Sequence, residues 1–221
     1  MTWTVPNILT ILRLLAAPGV AVMFLYFHRP WADWFALALF VAAAVTDWFD
    51  GYLARAWKQE SAFGAAMDPI ADKAMVAIAI MVITGYSGMN PWLILPAAVI
   101  LFREVLVSGL REALGDRARA LKVTKLAKWK TTAQMVAIAV LFLGTGLEHV
   151  EGIARQGMTM EEYATAVSAG TADPLRSCGA RGCSSLATQL GLALIWIAAA
   201  LTAVTGWDYL RKAMPMLKGP I

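Results

Sequence analysis

Long stretches without a charged side chain constrain this sequence more than any other feature. Residues 74–102 form 29 consecutive uncharged positions, residues 131–147 form 17, and residues 182–207 form 26. A helix of about 20 apolar residues crosses the hydrocarbon core of a bilayer. The chain is 59% hydrophobic and only 15% charged, whereas a soluble domain carries about 25% charged residues. The sequence therefore predicts an integral membrane protein and excludes an ordinary soluble domain, a disordered chain and a nucleic-acid-binding module.

The uncharged stretches and their interruptions predict an all-α bundle of six transmembrane helices, formed by residues 1–221 as one membrane domain. The longest stretch exceeds one span, and the turn-forming residues 85–91 divide it. The predicted helices cover about residues 6–27, 31–56, 66–86, 91–113, 128–148 and 186–211. Residues 149–185 are predicted to form an outer loop with a short helix near residue 160. Cys178 and Cys183 lie in this loop, where a disulfide bond and two free thiols are both possible.

Basic residues are distributed unevenly between the two ends of these helices. Fifteen of the 19 Lys and Arg residues lie at the end that carries both termini, and four lie at the other end. Because Lys and Arg accumulate in cytoplasmic loops, both termini are expected on the cytoplasmic side.

Four aspartates lie at the cytoplasmic ends of the second and third predicted helices. Asp47 and Asp50 are three residues apart, and Asp68 and Asp72 are four apart, so each pair shares a helix face. Repelling carboxylates at a membrane edge require cations, and oxygen ligands favour Mg²⁺ or Mn²⁺. Two such ions could bind a pyrophosphate and assist displacement at phosphorus. The alternative is that the four acids pair with nearby basic residues at the membrane interface.

The residues between the aspartates suit a phosphate ligand. Three small residues would let a bulky substrate approach the backbone, namely Gly51, Ala54 and Gly64. Arg55 suits phosphate recognition. Residues 47–72 read D-x2-D-G-x2-A-R-x8-G-x3-D-x3-D, and this pattern resembles the signature of the CDP-alcohol phosphatidyltransferase family at every fixed position.

The resemblance implies a fold and a chemistry. Members of this family are six-helix membrane enzymes, generally homodimers, that use divalent metal to displace CMP from a CDP-linked lipid with an alcohol. It implies four metal ligands, Asp47, Asp50, Asp68 and Asp72. Of these, Asp72 is also expected to accept the proton of the attacking hydroxyl. It further implies that Gly51, Ala54, Arg55 and Gly64 line the CDP moiety.

The N-terminal residues 6–13, P-N-x-L-T-x-x-R, are similar to the start of several family members. Asn7, Thr10 and Arg13 share one helix face at three-residue spacing and are expected to point toward the cytoplasmic site. Asn7 and Thr10 are therefore assigned to the CDP-lipid site. The alternative is an interfacial helix start with one arginine extended to the headgroups.

Basic residues at the ends of the fourth and fifth predicted helices indicate the acceptor. Arg103 lies deep in an otherwise apolar run, and a set of cations beside the metal site would suit an acceptor that carries its own phosphate, such as glycerol 3-phosphate. Residues 103–112, R-E-x3-S-x2-R-E, and 128–134, K-x-K-T-x2-Q, resemble the glycerophosphate-accepting branch of the family. The predicted acceptor-phosphate residues are Arg103, Arg111, Lys128 and Lys130. A basic belt that contacts anionic lipid headgroups is the alternative.

Together these observations predict an enzyme of a bacterial cytoplasmic (inner) membrane that makes phosphatidylglycerophosphate and CMP from CDP-diacylglycerol and glycerol 3-phosphate. Its active site is expected on the cytoplasmic side, with two Mg²⁺ or Mn²⁺ ions. A sibling enzyme that takes inositol phosphate or phosphatidylglycerol is the nearest alternative. A divalent-metal transporter is the alternative from another class, although the aspartates lie at helix ends and no inverted repeat is visible.

Overall fold

The computed structural model describes residues 4–29, 31–56, 61–115, 117, 125–155, 157, 159–169 and 186–217, and these residues contain helices and no strand. The helices are α1 (Val5–Tyr26), α2 (Trp31–Ala56), α3 (Ala62–Tyr86), α4 (Pro91–Leu114), α5 (Lys125–Arg155), α6 (Met160–Ser168) and α7 (Leu186–Leu217). The described part of the chain is therefore all-helical. Cys178 and Cys183 lie outside it.

Three helices are longer than the charge pattern indicates, and one of them is α7, which ends at Leu217 rather than near residue 211. α3 begins at Ala62 because Ser61 caps it: the backbone N–H of Gly64 donates to Ser61 Oγ at 3.0 Å. α5 continues to Arg155, beyond the predicted end at residue 148, and its added turns bury His149 and Ile153. Burial of these side chains offsets the low hydropathy that suggested a loop.

The short helix α6 lies within the predicted outer loop and begins with a capping box. The Thr159 N–H donates to the Glu162 carboxylate at 2.7 Å, and the Glu162 N–H donates to Thr159 Oγ1 at 3.3 Å. The hydrogen bonds from Thr159 hold the pKa of the Glu162 carboxyl below its ordinary value.

Four helices of the described chain are long and apolar enough to cross a membrane. Their candidate spans are Asn7–Tyr26, Pro91–Leu114, Trp129–Val150 and Leu186–Leu217. Large apolar side chains along them face outward, for example Leu25, Val105 and Trp129, each at least 70% exposed. An exposed apolar surface of this extent suits contact with lipid. The helices α2 and α3, which carry the four aspartates, are not among these four.

The helices pack in two connected groups. α1 packs against α2 and α3, α7 packs against α4 and α5, and α5 also contacts α2. The buried core between them consists mainly of alanine, isoleucine and aromatic side chains, with Phe40 and Phe142 at its centre. Because the polar ends of α1, α2 and α3 meet at one end of this core, the packing determines where the aspartates lie.

Close approach of α5 and α7 depends on two glycines. A Cβ atom on Gly144 would lie 2.5 Å from Thr188 Oγ1 and 2.7 Å from Thr188 N, and a Cβ atom on Gly191 would lie 2.8 Å from Leu141 Cδ2. Small residues at helix interfaces let backbones approach and pack without water between them.

A buried ion pair lies at the opposite end of the bundle from the aspartates. The Arg29 guanidinium donates to both carboxylate oxygens of Asp33 at 2.7 Å, and Thr145 Oγ1 donates to the same carboxylate at 2.9 Å. Asp33 is fully buried. We call Arg29, Asp33 and Thr145 the distal cluster; it connects the start of α2 to α5.

We expect Gly144→Ala to lower the free energy of unfolding by about 1–3 kcal/mol, the usual cost of overpacking. The added methyl group would overlap Thr188, including its backbone. Thermal unfolding in detergent measures the effect. Gly85→Ala is the matched control, because no atom lies within 4 Å of a Cβ atom there. Equal stability of the two variants would contradict the close α5–α7 packing.

Candidate active site

One face of α1 carries three buried polar side chains that reach toward the aspartates. Asn7, Thr10 and Arg13 are spaced by three residues and are each at most 5% exposed. Thr10 Oγ1 donates to Asp68 Oδ1 at 2.7 Å. Ser61 Oγ donates to Asn7 Oδ1 at 2.6 Å. The predicted orientation of this face toward the aspartates is therefore what the structure shows.

Arg13 lies between two carboxylates from different helices. Its Nη1 donates to Asp47 Oδ1 on α2 at 2.6 Å and to Asp72 Oδ1 on α3 at 3.2 Å. The Arg13 side chain is only 2% exposed, whereas the side chains of Asp47 and Asp72 are each 46% exposed. One buried guanidinium thus holds two carboxylates together and leaves both accessible from solvent.

Gly64 allows α1 and α3 to meet at this site. A Cβ atom on Gly64 would lie 3.2 Å from Asn7 Oδ1 and 3.3 Å from Ser61 Oγ. A larger residue would therefore push against the hydrogen-bonded pair formed by Asn7 and Ser61. Gly64 thus lies in close packing around the N-terminus of α3.

The donor atoms at this site have the chemistry of a hard-metal site. Asp47, Asp68 and Asp72 offer carboxylate oxygens, and only Arg13 among their described partners supplies positive charge. The described side chains include no group of three acidic, histidine or cysteine residues close enough to hold an ion. The side chain of Asp50, the fourth predicted ligand, lies outside the described set. The oxygen-only donors nonetheless fit a cation such as Mg²⁺.

Several predicted site residues cannot be located beyond their helix. Their backbones belong to the last turns of α2 or the first turn of α5, but their side chains lie outside the described set: Asp50, Gly51, Ala54, Arg55 and Lys128. Their predicted roles stay predictions.

A cluster of charged side chains lies beside the aspartates, between α3, α4 and α5. Glu104 Oε1 accepts hydrogen bonds from Arg103 Nη1 at 3.3 Å and from Lys130 Nζ. Lys73 Nζ donates to Ser108 Oγ, which donates to the backbone carbonyl of Glu104 at 2.6 Å. We call these five residues the cationic cluster. Asp72 and Lys73 are consecutive in α3, so the cluster begins at the same level of the bundle as the carboxylates.

The helix α7 forms a wall beside Arg103. A Cβ atom on Gly206 would lie 2.7 Å from Arg103 Cγ, so the arginine stem passes directly over this glycine. The guanidinium carbon of Arg111 lies 5.7 Å from the centre of the Tyr209 ring, also on α7. The described contacts therefore join Arg103 to Lys130 through Glu104, while they place Arg111 against Tyr209 instead.

Three side chains of the site were not assigned to it from the sequence. Arg13 had the correct helical spacing, and Lys73 directly follows the last aspartate, so both had a local signal. Glu104 had no such signal, because the sequence does not show that Lys130 of another helix lies beside it.

Comparison with known proteins identifies the family of this chain. The pattern of the CDP-alcohol phosphatidyltransferase family matches residues 3–172. The chain is 81% identical over 218 residues to a protein of Cereibacter sphaeroides named CDP-diacylglycerol–glycerol-3-phosphate 3-phosphatidyltransferase, with 99% of each chain covered. Proteins of the same name from Escherichia coli and Salmonella choleraesuis are 44% identical over 144 residues, which is 64% of this chain and 78% of each relative. Together with the aspartate site, the match over most of the chain shows that this protein belongs to the CDP-alcohol phosphatidyltransferase family.

Proposed function

We infer that this protein transfers the phosphatidyl group from CDP-diacylglycerol to sn-glycerol 3-phosphate, giving phosphatidylglycerophosphate and CMP. The observation that carries this inference is the 81% identity, over nearly the whole length of both chains, to an enzyme named for that reaction. The cationic cluster beside the aspartates supports a phosphorylated acceptor. The protein is thus a transferase of phospholipid synthesis.

The carboxylate side of the site is proposed to bind the CDP-lipid. Enzymes of this family generally depend on divalent metal, and we propose two Mg²⁺ or Mn²⁺ ions here. Their ligands would be Asp47, Asp50, Asp68 and Asp72. When bound, such ions neutralise pyrophosphate charge and favour displacement at phosphorus. Six residues are proposed to line the CDP-lipid: Asn7, Thr10, Gly51, Ala54, Arg55 and Gly64.

The cationic side is proposed to bind the phosphate of the acceptor. The proposed contacts are Arg103, Arg111, Lys128 and Lys130, and we add Lys73 to them because it belongs to the same hydrogen-bonded cluster as Arg103 and Lys130. Arginine and lysine donate several hydrogen bonds each to phosphate oxygens. Because Lys73 follows Asp72, a phosphate held here would place the rest of a small acceptor next to the carboxylates.

The reaction then requires a single displacement. The 1-hydroxyl of glycerol 3-phosphate attacks the phosphorus that carries diacylglycerol, the bond from that phosphorus to the CMP oxygen breaks, and Asp72 accepts the hydroxyl proton. Arg13 holds Asp72 and Asp47 at fixed positions during this step. Holding the acceptor and the carboxylate in contact supplies much of the rate gain.

The six long helices are proposed to cross a bacterial inner membrane. The support is the four apolar spans, the basic residues concentrated at the end of the aspartates, and the packing of α2 and α3 among those spans. We propose that both termini and the active site lie on the cytoplasmic side, because Lys and Arg accumulate there. We also propose that two copies of the chain form a homodimer, as is general in the family.

The first test is release of CMP from CDP-diacylglycerol by the detergent-solubilised protein. With Mg²⁺ or Mn²⁺ present, we expect release to depend on glycerol 3-phosphate and to stop with EDTA. Inositol phosphate, phosphatidylglycerol and an acceptor-free reaction are run in parallel. Equal rates in all four reactions would contradict the proposed acceptor, and faster release with another acceptor would assign the sibling activity.

Replacement of Asp72 by asparagine tests its proton-accepting role. We expect Asp72→Asn to lower kcat by about 10²-fold or more, because the amide cannot accept the hydroxyl proton. Asp208→Asn is a matched control, since Asp208 pairs only with Lys212 among its described contacts, on the surface of α7. Full turnover by Asp72→Asn would exclude this role.

The position of Arg13 predicts a stability effect that depends on metal. In EDTA, Arg13→Gln should lower the free energy of unfolding by about 1–3 kcal/mol, because Asp47 and Asp72 lose their shared cation. Added Mg²⁺ should raise the thermal midpoint of Arg13→Gln more than that of the wild type. Arg211→Gln, at an exposed arginine of α7, serves as the control. A midpoint unchanged in EDTA would argue against this role of Arg13.

A further inference from the structure

We propose that Glu104 is a positioning residue for the acceptor phosphate: its carboxylate holds Lys130 and Arg103 so that one phosphate group contacts both. The proposal rests on the proposed function and concerns a residue with no direct contact to substrate. It explains why an acidic side chain lies inside a cluster that otherwise serves to attract an anion.

The contacts of Glu104 converge on one atom. Its Oε1 accepts from Arg103 on the same helix and from Lys130 on α5. The side chains of Lys130, Arg103 and Glu104 are only 6%, 14% and 18% exposed. Two cations this close and this poorly hydrated repel each other strongly. The carboxylate between them therefore determines how far apart they lie.

The main chain of Glu104 is also fixed. Its carbonyl accepts from Ser108 Oγ, and Ser108 in turn accepts from Lys73 on α3. On the other side of the cluster, Gly206 confines the stem of Arg103. Glu104 thus connects cationic groups from three helices, and α7 limits the movement of one of them.

Enough charge and enough donors remain for a ligand. Lys73, Arg103 and Lys130 carry three positive charges against the single negative charge of Glu104, which leaves a surplus that matches a phosphate monoester dianion. Among the described contacts Glu104 takes one N–H of Arg103 and one of Lys130, whereas a guanidinium has five donors and an ammonium has three. The carboxylate can therefore position both cations without blocking them.

Steady-state CMP release by the full chain in detergent tests the proposal, with KM measured separately for glycerol 3-phosphate and CDP-diacylglycerol. We expect Glu104→Ala to raise the KM for glycerol 3-phosphate by about tenfold or more, as loss of a charge-assisted contact predicts. The KM for CDP-diacylglycerol should change little. Glu104→Gln should raise this KM clearly less than Glu104→Ala does, because its amide oxygen can still accept both hydrogen bonds although the negative charge is lost.

Two further variants keep the test decisive. Glu104→Asp has a shorter side chain that cannot reach both cations, so it should raise the same KM even if Glu104→Ala does not fold. Glu112→Ala removes an exposed glutamate of the same helix and should leave both KM values unchanged. The thermal midpoint of each variant identifies any that are unfolded.

The outcomes separate the two levels of the argument. Wild-type protein that releases no CMP with glycerol 3-phosphate would overturn the proposed function itself. An active wild type whose Glu104→Ala and Glu104→Asp variants keep or lower the KM for glycerol 3-phosphate would overturn only the role of Glu104. If Glu104→Ala raised the KM for CDP-diacylglycerol as much as the KM for glycerol 3-phosphate, Glu104 would have a general structural role instead. The same conclusion would follow if Glu104→Gln raised the KM for glycerol 3-phosphate as much as Glu104→Ala does.

Discussion

The contact of one guanidinium with two carboxylates organises the active end of this bundle. Arg13 extends from α1 to Asp47 on α2 and to Asp72 on α3, and it is buried while its partners are half exposed. Buried charges persist only when they are paired. Since the three helices meet at this contact, it fixes the positions of the carboxylates before any ligand is bound.

The site divides into an anionic half and a cationic half that meet within one turn of α3. Asp72 belongs to the first and Lys73 to the second, and both are held by side chains from other helices. The anionic half would bind a pyrophosphate through divalent metal ions held by its carboxylates. The cationic half would bind a single phosphate group directly through its lysine and arginine side chains. If both halves bind as proposed, the two phosphate-bearing substrates would lie at the same level of α3, as a direct displacement requires.

Much of this arrangement could be predicted from residue spacing. Uncharged runs located the long helices, and the spacing of Asn7, Thr10 and Arg13 predicted the face that contacts the aspartates. Spacing along one helix, however, carries no information about which side chain of another helix completes a contact. The pairing of Glu104 with Lys130, and of Lys73 with Ser108, depends on how α3, α4 and α5 pack, and it could not be read from the sequence.

The extension of α5 has a similar explanation. Residues 149–155 have too little hydropathy to indicate a membrane helix, yet His149 and Ile153 are buried against the bundle. Tertiary burial decides such segments more than composition does. Gly206 is a further case, because its importance comes from the stem of Arg103 that passes over it, and a glycine in an apolar helix gives no sign of a contact from another element.

The distal cluster and the aspartate site differ in how far their carboxylates are exposed to solvent. Arg29 and Asp33 form a bidentate pair, with both carboxylate oxygens bonded to the guanidinium. Asp33, however, is fully buried and also accepts from Thr145, so its carboxylate offers no face to a ligand. Asp47 and Asp72 each keep 46% of their side-chain surface exposed. The two ends of the bundle use the same pairing chemistry, and solvent access to the carboxylates is what distinguishes the functional end from the structural one.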